Sequence, residues 1–175
     1  MFKKILIGLV VIIVAILGYA TTKPDTFSVS RSIAINAKAE TVHGFINDFN
    51  QWSIWSPWEK LDPEMKRTFS GPTSGPGAVY EWQGNSKVGK GRMEILEASA
   101  DHVGIALSFE KPFRADNIAE FSLAPAAGAT DVTWSMRGPR PFASKLIGIF
   151  INMDNLVGRD FERGLQNLKS VSEHA

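Results

Sequence analysis

The sequence predicts an α+β domain in which an antiparallel meander is covered by one long amphipathic helix, the whole preceded by an apolar segment. Three observations predict it. Between Tyr80 and Met136 apolar residues recur at every second position, the period of strands with one covered face. From Pro141 onward they recur at every third and fourth, the period of a helix with an apolar stripe. Ahead of both, the run from Ile5 to Ala20 carries no charge.

That first segment, "MFKKILIGLVVIIVAILGYA", has two readings. As a signal peptide it offers a basic start and a small-x-small site at Gly18 and Ala20. As an anchor it is short, since its apolar run spans about 24 Å of helix against a hydrocarbon core of roughly 30 Å. Thr21 and Thr22, with Lys3, Lys4 and Lys23 snorkelling, narrow the gap and give a membrane segment over residues 5–22. The β-branched "LVVIIVAIL" and the lack of a clean A-x-A favour the uncleaved anchor. Lys3 and Lys4 favour a cytoplasmic N-terminus, which puts the remainder of the chain on the far side of the membrane. The expected division is therefore residues 1–24 as anchor or signal segment with linker, and residues 25–175 as one domain. With 44% hydrophobic and 21% charged residues over the whole chain, an adequate core is available.

Within the domain, "FSVSRSIAI" alternates as a half-buried strand, and "NAKAETVHGFINDF" reads as a short helix opened by Asn36 and closed near Asn50. Three of the five tryptophans come next within seven residues, Trp52, Trp55 and Trp58. Each gains about 4 to 6 kcal/mol on full burial, an upper bound, so something must cover them. Pro57 ends any helix there. After the turn-rich loop Ser70 to Ala78, strands are marked by Tyr80 and Trp82; by Gly91, Met93 and Ile95; by Val103 to Phe109; by Ala119 to Leu123; and by Val132, Trp134 and Met136. The turn signals "GNSK", "ASADH", "EKPF" and "APAAGAT" separate them as an antiparallel meander with one apolar face. The cover is a single helix of about thirty residues from Pro141, its stripe running from Leu146 to Val171, laid on a curved sheet.

Several chemistries are excluded. Residues 1–24 hold Lys3, Lys4 and Lys23 and no acid, leaving the domain with 16 basic and 18 acidic residues. No basic patch interleaved with aromatics or nucleic-acid-binding motif occurs. There is no cysteine, and His43, His102 and His174 lack metal-ligand spacing. No H-E-x-x-H, G-x-S-x-G or phosphate-binding loop is present, and "GNSKVGKG" lies between strands rather than before a helix. Neither a metal nor a cofactor is expected.

The stretches "RSIAINAKAETV", "INDFNQWSIWSPW", "SGPTSGPGAVYEWQGN", "VGKGRMEI", "DVTWSMRG" and "NMDNLVGRDFERGLQNLK" resemble the bacterial polyketide cyclase/dehydrase and lipid-transport family of the START-like, or SRPBCC, superfamily. The resemblance spans about residues 27–170. His43 departs from it, standing where relatives more often carry an aromatic. It implies the helix-grip fold: a curved antiparallel sheet of about seven strands, two short helices and a long C-terminal helix over the sheet. It also implies a hydrophobic cavity between sheet and helix; taken with the anchor reading of the N-terminal segment, the bacterial family gives an inner-membrane location, single pass, with an extracytoplasmic domain. On that arrangement Trp52 and Trp55 read as wedges closing the junction of short helices and sheet, and Trp58 as reaching the cavity mouth.

The inward set Trp82, Met93, Phe109, Phe121, Trp134, Phe150, Met153 and Phe161 serves by pattern as a solid core; the resemblance turns it, with Trp58, into the lining of a ligand cavity. Asp154 is either a polar handle in that cavity or an acid at the flank of the stripe, solvated or paired with Arg137 or Arg114. Gly148, Gly158 and Gly164 each cost helix stability, which indicates either close packing on the sheet or room for a ligand. The leading functional reading is binding of a lipid, isoprenoid or polyketide-like molecule without catalysis. A cyclase or dehydratase using Asp154 with His43 or Tyr80, and a module docking a protein or membrane surface through the tryptophan segment, are the alternatives.

Overall fold

The computed structural model describes residues 2–150 and 152–175. Helix α1, Phe2–Thr21, leads through a short linker into strand β1, Thr26–Ile35. Helix α2, Ala39–Ile46, a 3₁₀ turn at Phe49–Gln51 and the one-turn helix α3, Trp52–Trp55, come after it. Six further strands then run as a meander: β2 Lys66–Ser70, β3 Val79–Gln83, β4 Lys90–Ser99, β5 His102–Lys111, β6 Ala115–Ala126 and β7 Ala129–Pro139. Helices α4, Phe142–Phe150, and α5, Met153–Glu173, end the chain.

All seven strands form one antiparallel sheet in the order β1-β7-β6-β5-β4-β3-β2. β1 closes it from the far side, pairing with β7 from Thr26 opposite Pro139 to Ile35 opposite Thr130. Register shifts at Lys90/Gly91 and Ile95/Glu97 bend the β4–β5 pair, as bulges do. Gly104 makes the second shift possible, because a Cβ there would lie 2.9 Å from the Glu97 side chain. The curved sheet and the long helix over it are the helix-grip arrangement.

Helix α5 lays Phe161, Leu165 and Leu168, all buried, against the sheet. The other side of the junction is held by tryptophans. Trp52 Nε1 donates to the Ile46 carbonyl at 2.9 Å and Trp55 Nε1 to the Phe45 carbonyl at 3.0 Å. The Trp55 carbonyl in turn accepts from Asn167 Nδ2 of α5 at 2.9 Å. Both indoles thus bury their rings and satisfy their only donor, and they tie α2, α3 and α5 together.

Four expectations change. The thirty-residue covering helix is two helices, because Asn152 adopts an extended conformation and its side chain caps α5 by accepting from Asn155 N. Helix α4 packs on α1 instead of on the sheet. Asn36 does not open α2, which begins at Ala39; its N–H is taken by Glu173 Oε1 at 2.7 Å. Strand β2 escapes the pattern because it is a sheet edge, nearly all exposed, and shows no alternation. The two glycines of α5 mark close packing: a Cβ on Gly164 would lie 2.7 Å from Trp134 Cζ3, and one on Gly158 would collide with the Arg31 guanidinium.

Candidate functional site

A cavity of about 230 Å³ lies between the sheet and the first half of α5. Its floor is the inward face of the sheet, Tyr80 and Trp82 of β3, Met93 of β4, Leu107 and Phe109 of β5, Ala119 of β6, and Trp134 and Met136 of β7. The tryptophan segment walls one side with Trp52, Ser56, Trp58 and Glu59, and α5 roofs it with Leu156, Val157, Asp160 and Phe161. Two exposed lining residues, Lys87 and Leu156, mark the mouth between the β3–β4 loop and the first turns of α5. Gly91 is required in this floor: a Cβ there would come 2.5 Å from the Trp82 ring.

The back of the cavity is a packed aromatic cluster centred on Trp134. Its ring stacks on Phe161 at 4.1 Å and on Phe121 at 4.8 Å, and Trp58 meets it edge-on at 5.7 Å. Such pairs add about 0.5 to 1.5 kcal/mol each beyond area burial.

One polar cluster enters the wall. The Glu59 carboxylate, 6% exposed, accepts from Tyr80 Oη at 2.6 Å on one oxygen and from Arg67 Nε at 2.7 Å on the other. Arg67 reaches it from the edge strand β2 and also donates to the Glu59 carbonyl at 3.1 Å. Burial, reinforced by the hydrogen bond to Glu59, pushes the Tyr80 phenol well above its ordinary value. The hydrogen bond that Arg67 donates to the Glu59 carboxylate likewise holds Arg67 above its ordinary value. Tyr80 is accordingly a neutral donor, and it and Arg67 both donate to Glu59 in a wall that is otherwise mainly apolar.

The polyketide cyclase/dehydrase and lipid transport description matches residues 26–173, nearly the whole sheet-and-helix unit. The chain belongs to this family. No curated protein matches it. Among solved structures, protein CV1439 from Chromobacterium violaceum is 18% identical with a TM-score of 0.59, covering 86% of this chain and 99% of its own. Major latex-like protein 151 from Panax ginseng is 10% identical at TM-score 0.60, with 85% and 99% covered. The di-domain ARO/CYC protein BexL from the BE-7585A biosynthetic pathway is 14% identical at TM-score 0.61, with 88% of this chain and 52% of that one covered. At these identities the likeness is one of fold.

Within this polyketide cyclase/dehydrase family fold, the structure brings six of the sequence-predicted lining residues to the cavity: Trp58, Trp82, Met93, Phe109, Trp134 and Phe161. Phe121 is wholly buried behind Trp134 and does not line it. The side chains of Phe150 and Met153 lie outside the described residues. Asp154 sits on the outer surface, 53% exposed, where its carboxylate accepts from Arg31 at 3.1 Å; its partner is therefore neither Arg137 nor Arg114. Those bonds hold Asp154 below the usual carboxylate range. His43 lies on α2, partly buried and away from the lining. Sequence reasoning misses Glu59 and Arg67; the available signal is an acid beside Trp58 in "WSPWEK", one residue beyond the proline-turned segment. Among the described residues no cluster of His, Cys, Asp and Glu could hold a metal ion.

Proposed function

We propose that this chain is a membrane-tethered domain that binds an apolar small molecule, or the apolar part of a lipid, in the sheet–helix cavity without transforming it. Residues 1–24 serve as anchor and linker and residues 25–175 as the binding domain, on the extracytoplasmic side of a bacterial inner membrane. The observation that carries the reading is the cavity, about 230 Å³ and walled almost wholly by aromatic, methionine and aliphatic side chains. Pockets for drug-sized ligands hold roughly 300 to 1,000 Å³. This one fits a short tail, a ring system or an isoprenoid-like fragment, rather than a whole phospholipid. Glu59 and Tyr80 would orient one hydroxyl or amide group of the guest.

The test uses the full chain reconstituted in nanodiscs of defined lipid. Extraction and mass spectrometry should recover a co-purifying apolar molecule absent from empty nanodiscs, and titration with fatty acids and sterol-like probes should shift tryptophan emission. Trp58→Ala should accelerate probe dissociation with the fold retained. Absence of both a co-purifying molecule and an emission shift removes the reading.

A second reading, general acid/base chemistry on a bound polyketide, is favoured by one observation: Tyr80 and Glu59 share a 2.6 Å hydrogen bond in the cavity wall. It requires product formation from a polyketide-like substrate that Glu59→Gln abolishes.

A further inference from the structure

We infer that the end of the sheet carrying the cavity mouth rests on the bilayer surface, with the β5–β6 hairpin tip and helix α4 as its lipid contacts. The inference rests on the reading of α1 as a retained anchor. Strand directions decide which parts share that end. Thr26, five residues after α1 ends at Thr21, pairs with Pro139 at the end of β7. The β5–β6 tip, residues 112–114, and the β3–β4 loop, residues 84–89, turn at this same end, whereas the Ala100–Asp101 and Ala127–Gly128 turns lie at the other.

Depth is set by the contact between α4 and α1. The residues of α1 covered by protein are Ile16 and Ala20, in its last two turns, and α4 packs on this helix. Buried Lys145 of α4 donates to Asp25 Oδ1 at 2.6 Å, and the Arg140 N–H donates to the Asp25 carbonyl at 2.6 Å. Lys23 Nζ lies 2.7 Å from Tyr19 Oη and over its ring, a basic and aromatic pair of the kind found at the membrane boundary. An α1 that spans the bilayer therefore brings α4 to its surface.

The side chains at this end suit that surface. Phe113 at the hairpin tip is 77% exposed, and α4 exposes Phe142 and Ile147. Lys111 and Arg114 flank Phe113, and Lys87 stands on the neighbouring loop. Lys90 is engaged by Glu110 at 2.6 Å, while Lys87, Lys111 and Arg114 have no ion-pair partner among the described residues. Glu110, which also feels Arg114 and Lys111, and Asp116 are the acids beside them, which leaves the four bases Lys87, Lys90, Lys111 and Arg114 in excess. Exposed aromatics framed by excess basic charge match an anionic lipid surface. Lys87 and Leu156 bound the cavity mouth at the same end. A lipid can thus insert its apolar part into a cavity too small for the whole molecule while the remainder stays in the bilayer.

The chain has no cysteine, so single labels can be placed by Phe113→Cys and, at the opposite end, Ala100→Cys, both exposed positions. The full chain carrying an NBD label is reconstituted into phosphatidylcholine and phosphatidylglycerol vesicles with and without doxyl-labelled lipid. The expected result is blue-shifted emission at position 113, quenched several-fold more by doxyl lipid than at position 100. Quenching of both positions by aqueous iodide alike overturns the inference. So does a label at 113 shielded from both quenchers, which would mean a protein partner or second copy covers it. Flotation separates the two levels: a chain that does not float with vesicles removes the anchor reading and this inference together, whereas a floating chain with an aqueous label at 113 removes this inference alone.

Discussion

The indole of Trp134 on β7 and the phenyl ring of Phe161 on α5 lie 4.1 Å apart with their planes 5° from parallel. This stack is the point at which helix and sheet touch behind the cavity, and both rings are 2% exposed. Phe161→Ala removes the roof side of the stack and enlarges the void. A loss of about 3 to 5 kcal/mol is expected, with a smaller loss for Phe161→Leu. Chemical denaturation followed by near-UV circular dichroism measures both.

One turn further along α5, Gly164 leaves no room for a side chain. Gly164→Ala improves helix propensity by roughly 1 kcal/mol, but its Cβ would sit 2.7 Å from Trp134 Cζ3 and 3.1 Å from Pro57 Cδ. Overpacking of this kind costs about 1 to 3 kcal/mol. Net destabilisation is expected, and a lowered melting temperature for this variant beside a raised one for Gly44→Ala, inside α2 where a Cβ meets nothing within 4 Å, checks it.

Tyr80 gives a pH dependence of known sign. Its folded pKa is raised above the ordinary 10.0, so the folded state holds this proton more tightly than the unfolded one. The contribution is fully present below pH 10 and is lost as the pH rises from there through the folded value. Stability measured between pH 9 and pH 12, an interval of roughly two units above and one below the ordinary value, should fall more steeply in the native chain than in Tyr80→Phe. Near neutrality Tyr80→Phe should cost about 1 to 3 kcal/mol, through the Glu59 oxygen it leaves unpaired.

Arg31 fastens the start of α5 to β1, donating to Glu162 at 2.7 Å and to the side chain and carbonyl of Asp154 at 3.1 Å. Arg31→Ala should raise amide exchange in residues 154–162 with little change in residues 165–172. Asp154, whose folded pKa is depressed, contributes stability above its ordinary value of 3.8 and loses it as the pH falls through the folded value. The protection factor of the same segment, exchange corrected for its intrinsic pH dependence, should therefore fall at low pH in the native chain and change less in Asp154→Asn.

The strands are legible in the sequence where one face is buried, because Phe121, Trp134 and Met136 alternate with exposed or half-exposed neighbours. β2 is illegible for the opposite reason: its edge position buries neither face. The break at Asn152 is hidden because the apolar spacing continues through it. Ile149 belongs to the α4 segment that leans on α1, and Val157 to the stripe that roofs the cavity, and two different apolar partners select the same residue types. The same break misplaces Asp154, since a continuous helix phases it toward the sheet. Glu59 looks like an ordinary surface acid; only pairing of β2 with β3 brings Arg67 and Tyr80 to it.

The tryptophan cluster has an optical consequence. Trp52 and Trp55 are 4.7 Å apart, and Trp134 lies 6.3, 5.6 and 5.7 Å from Trp52, Trp55 and Trp58 respectively. Indoles this close share excitation. The chain should show an exciton couplet in circular dichroism, and since three of the four coupled rings line the cavity, light absorbed anywhere in the cluster reports on whatever molecule enters it.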